Sequence, residues 1–77
     1  MNQTQHTSQD TCRVVINGTA MELPAHTTIA ALLVQQDMAT RRLAVERNGV
    51  VVPRSQHDRV QLQDGDRLEI IQAIGGG

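Results

Sequence analysis

The sequence predicts an α+β domain, a mixed sheet of four to five strands with one helix packed on one face. Three observations predict it. Asn17-Gly18 and Asn48-Gly49 each stand between short β-branched or alternating apolar runs, the pattern of a tight hairpin. One apolar stripe of helical spacing lies between the two hairpins. A last alternating run, Leu68 to Ile74, leads into Gly75-Gly76-Gly77.

Met1 to Thr11 is polar and has no apolar period, so it is expected to be a disordered extension. His6 stands alone there and makes no metal site. Cys12 to Asn17 is the first strand, and Thr19 to Leu23 returns from the Asn-Gly turn. Alternation puts Val14 and Ile16 on one face, with Met21 and Leu23 beside them. Cys12 falls in register with this set. It reads as a small core residue rather than a reactive thiol, because no basic neighbour in sequence lowers its pKa. Pro24 closes the hairpin, and His26 reads as a surface turn residue.

Thr27 or Thr28 can cap a helix expected to run to about Met38. Ile29, Leu32 and Leu33 form its narrow apolar stripe, suited to lying on a sheet. Leu43 to Arg47 alternates, with Leu43 and Val45 inward, and Val50 to Val52 returns from the second turn. Pro53 stops that strand. Arg54 to Arg59 is a short polar turn, Val60 and Leu62 tuck a crossover under the sheet, and Asp64-Gly65-Asp66 turns the chain. In the last strand Leu68 and Ile70 face one way, while Glu69, Ile71 and Ala73 face the other.

The order is therefore hairpin, helix, hairpin, crossover, strand. Parallel pairing of the last strand beside the first places it at the sheet centre. That arrangement is the β-grasp, or ubiquitin-like, fold. The expected organisation is an extension over 1–11, one domain over 12–74 and a flexible glycine tail over 75–77.

Composition narrows the function classes. The chain has 77 residues, 39% of them hydrophobic, and no Phe, Tyr or Trp. The core must be aliphatic and thin, and there is little room for a deep pocket, which disfavours a self-sufficient enzyme. Net charge is −1, with no basic stripe and no aromatic ring to stack on a base, so nucleic-acid binding is not expected. All 7 basic residues are Arg. Without Lys the chain can donate to an isopeptide bond but never accept one through a lysine. A single cysteine excludes an intramolecular disulfide, and no apolar run suggests a membrane span or a secretory segment. A cytoplasmic location fits.

The tail carries the sharpest chemical signal. Three glycines bring no side chain to a core, and their backbone can lie in a channel too narrow for any Cβ. Extended, three residues reach roughly 10 Å. A carboxylate on Gly77 can thus enter another protein's active site while the body stays outside. The competing reading is an ordinary frayed terminus.

The chain resembles the ThiS family, the small sulfur carrier proteins of thiamine biosynthesis. The resemblance spans Cys12 to Gly77 and rests on particular blocks. These are Ile16-Asn17-Gly18, Ile29-Ala30-Ala31-Leu32-Leu33, Val45-Glu46-Arg47-Asn48, and Val52-Pro53-Arg54-Ser55-Gln56. Gly65-Asp66-Arg67-Leu68-Glu69-Ile70 and Ala73-Ile74-Gly75-Gly76-Gly77 complete them. The polar extension before Cys12 departs from the family, whose members usually begin near the first strand.

The resemblance implies that the chain is a protein co-substrate and not an enzyme, with no bound cofactor. A ThiF-like adenylating enzyme would use ATP to activate Gly77. A cysteine desulfurase or persulfide carrier would supply sulfur, giving a C-terminal thiocarboxylate. Thiazole synthase would take that sulfur into the thiazole ring. On this reading Gly77 reacts, and Gly75 and Gly76 supply slim reach. Val52, Ile71 and Ala73 are expected to form a small apolar docking patch, although Ile71 reads equally as an ordinary exposed residue. Arg54 reads as solvated rather than as a partner contact. His57 beside Asp58 has no nucleophile or pocket to serve. The alternatives are a sulfur carrier for molybdopterin synthesis or RNA thiolation, a ubiquitin-like modifier conjugated through Gly77, and a binding module with an unused tail.

Overall fold

The hairpins and the central pairing follow from turn chemistry and apolar alternation. The computed structural model describes residues 10–72. Expectations for residues 1–9, and for Ala73, Ile74, Gly75, Gly76 and Gly77, lie outside the described residues. Strands β1 (Thr11–Ile16) and β2 (Thr19–Pro24) form the first hairpin, and helix α1 covers Ile29–Gln35. Strands β3 (Leu43–Arg47) and β4 (Val50–Val52) form the second hairpin. A single 3₁₀ turn, Arg54–Gln56, precedes the crossover, and β5 (Arg67–Gln72) completes the sheet. Both Asn-Gly pairs have positive φ at both residues, as a two-residue hairpin turn of matching twist requires.

The strand order is β2-β1-β5-β3-β4. Strand β5 pairs parallel to β1 and antiparallel to β3, so it lies at the centre. This is the β-grasp arrangement expected from the element order. One face of the sheet packs on α1. Cys12, Val14 and Ile16 of β1, Leu23 of β2, Val45 of β3, and Leu68 and Ile70 of β5 are buried there. They meet Ile29, Leu32 and Leu33 of α1, and Leu62 of the crossover. An aliphatic stripe on a short helix thus seals one side of an aliphatic sheet.

Helix α1 is shorter than expected, ending at Gln35 instead of near Met38. Its start is as anticipated: the Thr28 hydroxyl accepts from the Ala31 N–H at 3.0 Å. Its end is set by Asp37, which adopts φ 61°. The Met38 N–H then bonds the Leu33 carbonyl at 2.7 Å, and the Asp37 N–H bonds the Val34 carbonyl at 3.0 Å. This is a Schellman termination. It turns Met38 back against the core instead of extending the helix.

The crossover is tied to the helix start. Ile29 N–H bonds the Val60 carbonyl, and Ala30 N–H bonds the His57 carbonyl at 2.8 Å. Two N–H groups at the helix start, which have no partner within the helix, are satisfied in this way. None of the helices among the described residues is long and apolar enough to cross a membrane.

Candidate functional site

The end of β5 is held on both sides, by backbone pairing on one and by a side-chain amide on the other. On one side Leu43 of β3 pairs with Gln72 of β5. On the other, the Asn17 amide reaches across from the first turn. Its Oδ1 accepts from the Ile70 N–H at 2.8 Å, and its Nδ2 donates to the Ile70 carbonyl at 3.3 Å. Asn17 thereby replaces a missing strand residue and extends the β1–β5 ladder after β1 has turned away. The mount for the tail is a central strand bonded along both edges.

The start of β5 is fastened differently. Asp66 is 5% exposed and collects three donors. Arg47 Nε donates at 2.9 Å, Asn48 Nδ2 at 3.1 Å and the Gln63 N–H at 2.8 Å. Burial by itself would raise the Asp66 carboxyl pKa. The Gln63, Asn48 and Arg47 hydrogen bonds and the Arg47 charge outweigh it, and the pKa is lowered from its ordinary 3.8. Asn48 also accepts from the Arg67 N–H at 2.9 Å. The second hairpin turn is thus locked to the first residue of β5.

The sheet face opposite α1 is open. Ile71 stands on it, 49% exposed, opposite Ala44 of β3. Val52 does not join them. It pairs with Val45, which is 1% exposed, and directly opposed residues of an antiparallel pair share a face. Val52 therefore turns toward the helix layer and packs on the core. The expected patch of Val52, Ile71 and Ala73 is divided between faces, with Ala73 outside the described residues. Val51, 60% exposed and opposite Glu46, holds the open-face position that Val52 was expected to fill.

Val50-Val51-Val52 is a run of one residue type, so alternation gives it no phase. The turn would have given one. A two-residue Asn48-Gly49 loop pairs Arg47 with Val50, and hence Val45 with Val52.

Arg54 is exposed and shares a shallow hollow with Arg42, Leu43, Ala44 and Ile71. His57 is buried, and its Nε2–H donates to the Val52 carbonyl at 3.0 Å. Its own carbonyl accepts from Ala30. His57 therefore clamps the 3₁₀ segment between β4 and α1, while Asp58 lies exposed. Cys12 is buried in the core, and burial, then the charges of Asp64 and Asp66, raise its thiol pKa. A thiol so placed is not a nucleophile at neutral pH. Among the described residues no group of three or more His, Cys, Asp or Glu is gathered that could hold a metal ion.

Comparison with known proteins adds the following. The ThiS family model matches residues 10–77. Over 65 residues the chain is 35% identical to the sulfur carrier protein ThiS of Escherichia coli, covering 84% of this chain and 98% of that one. It is 45% identical over 65 residues to the thiazole synthase of Paramagnetospirillum magneticum, covering 84% of this chain. The chain spans 20% of the length of that synthase, and likewise of the one from Magnetococcus marinus. A crystal structure of the thiamine biosynthesis protein ThiS from Geobacter metallireducens superposes with a TM-score of 0.70 at 28% identity, covering 84% of this chain and 99% of that one.

Proposed function

Since the chain belongs to the ThiS family, we propose that it is a sulfur carrier protein whose Gly77 carboxylate becomes a thiocarboxylate and supplies sulfur for the thiazole ring of thiamine. The observation that carries this reading is the family match, which runs through the whole domain and includes Gly75, Gly76 and Gly77. The likeness to almost the full length of the Escherichia coli carrier supports it.

The chemistry begins with a poor electrophile. A ThiF-like adenylating enzyme joins the Gly77 carboxylate to the α-phosphate of ATP and releases pyrophosphate. AMP is then the leaving group. The terminal sulfur of a persulfide, held by a cysteine desulfurase or persulfide carrier, attacks the acyl carbon and displaces AMP. A thiol cleaves the resulting S–S bond, leaving the thiocarboxylate and a disulfide. The softer, anionic sulfur then attacks the acceptor on thiazole synthase. The carrier contributes reach, a narrow backbone and a rigid root, with no acid, base or metal of its own. ATP belongs to the partner.

The thiazole branch is favoured over other sulfur acceptors by one observation. A stretch matching this chain occurs within proteins named thiazole synthase. Intact mass spectrometry after incubation with ATP, a ThiF-like enzyme and a sulfur donor tests the reading. Replacement of one oxygen by sulfur at Gly77, absent without ATP, is expected. An unchanged mass with an enzyme active on another carrier sinks the proposal.

A further inference from the structure

We propose that Asn17 is a positioning residue for the chemistry at Gly77: its side-chain amide holds the end of β5 in the sheet, so that the tail starts from a fixed root when a partner enzyme takes it up. The inference rests on the sulfur-carrier reading and adds to it the residue that presents the tail.

The need for such a residue arises where β1 stops. Strands β1 and β5 pair only at Val15–Arg67 and Ile16–Leu68. The Val15 N–H bonds the Asp66 carbonyl and the Asn17 N–H bonds the Leu68 carbonyl, both at 2.9 Å. A parallel strand that continued would offer the next acceptor and the next donor to Ile70. The Asn17 backbone has turned away instead, with φ 50° opening the turn into β2. Its side chain supplies both groups. Oδ1 accepts from the Ile70 N–H at 2.8 Å, and Nδ2 donates to the Ile70 carbonyl at 3.3 Å. One amide stands in for one peptide unit of a strand that has left the ladder. Among the described residues no other hydrogen bond reaches β5 beyond Leu68 from the first hairpin.

The second hairpin separates this role from the needs of the turn. Asn48 has the same positive φ, 53°, and also spends its amide on β5, but at the opposite end. Its Oδ1 accepts from the Arg67 N–H at 2.9 Å, and its Nδ2 donates to Asp66 at 3.1 Å. A glycine suits such a turn position equally well; what it lacks is the amide. The start of β5 is fastened a second time, by Arg47 and the Gln63 N–H on Asp66. The end of β5 has only Asn17 on the side of the first hairpin.

Loss of that amide leaves β5 in the sheet. Ile70 stays buried, and pairing of Ile71 with Ala44 and of Gln72 with Leu43 still holds the other edge. Ile70 to Gln72 are then bonded along one edge and loosen. A partner channel has to fix the five residues beyond Gln72, a span of at most about 17 Å, in one extended form. A loosened root adds residues that must be ordered in the same step. Ordering the backbone of each further residue lowers affinity by about tenfold. Asn17 removes that cost in advance, which is preorganisation.

The test uses the full chain with a purified ThiF-group enzyme that converts the wild-type carrier. Asn17→Gly keeps the turn and deletes the amide, and Asn48→Gly is the matched change at the other end of β5. Asn17→Gly is expected to raise the carrier's KM in ATP-dependent pyrophosphate release by about tenfold, with kcat little changed because ordering is complete once the carrier is bound. Asn48→Gly should keep the wild-type KM. In amide hydrogen exchange the Ile70 N–H of Asn17→Gly should exchange about tenfold faster relative to the Leu32 N–H, which bonds Thr28 within the helix layer. Asn17→Asp retains the turn and puts an oxygen against the Ile70 carbonyl, so it should raise KM in the same direction; it keeps the comparison decisive if Asn17→Gly does not fold. Equal KM values for the Asn17 and Asn48 variants overturn the assignment and leave thiocarboxylate formation intact. Ile70 and Leu32 amides that accelerate together also overturn it, by reducing Asn17 to a contributor to global stability. A wild-type chain that never gains sulfur overturns the sulfur-carrier reading and this assignment with it, a failure visible before any variant is made.

Discussion

Asp66 shows how one turn residue secures the strand that carries the tail. It holds Arg47, Asn48 and the Gln63 N–H at once, from a position 5% exposed. Because its folded pKa lies below 3.8, the ionised form is favoured by folding. Its stabilisation is complete above that ordinary value and is lost as pH falls through the lower folded value. Urea unfolding of wild type should therefore weaken below about pH 4. Asp66→Asn should be less stable at neutral pH, by about 1–3 kcal/mol. Its midpoint should also depend less on pH in the acid range. Parallel acid profiles for the two proteins would contradict the assignment. In the proposed mechanism the glycines of the tail sit at the opposite extreme: their use there lies in the side chain they lack.

Among the elements, β5 joins stability to function. Its inward residues, Leu68 and Ile70, are core, while Ile71 on the other face is exposed beside Arg42 and Arg54. The two faces can be tested separately. Leu68→Ala is expected to cost about 2–5 kcal/mol, since Leu68 is buried at 2% exposure. In a domain this small that lowers the melting temperature by about 8 °C or more. An unchanged melt would show that Leu68 does not pack as described. Helix α1 contributes in a different way. Its stripe was readable from spacing, but its end depended on Asp37 entering the left-handed region, a conformation that Gly or Asn would have advertised more clearly. Three identical valines concealed the phase of β4, and only pairing through the Asn48-Gly49 turn shows Val51 outward and Val52 inward.

At the scale of the whole molecule, body and tail are expected to be separable. Among the described residues the core cluster runs from Cys12 to Ile70. Deleting Gly76-Gly77 should therefore leave the melting temperature unchanged and abolish ATP-dependent sulfur transfer. If the truncated protein still supports thiazole formation with purified partners, the carrier mechanism is wrong. A binding module with an unused tail would pass that test unharmed, whereas a carrier cannot.

Local chemistry alone was enough to specify the turns, the helix start and, apart from the phase of β4, the strands and the core. Each of these is written in spacing of two or 3.6 residues and in residue types with strong φ preferences, Asn-Gly above all. The same reading proposed the tail as the reactive end, because a run of Gly can lie in a channel too narrow for any Cβ. Tertiary structure decided whatever joins residues distant in sequence. Asn17 holding Ile70, and Asp66 holding Arg47 and Asn48, are such joins. The pairs are separated by several to several tens of residues, and no local period connects them. Their contacts exist only once β5 has been laid between β1 and β3, since that pairing alone brings both hairpins to one strand.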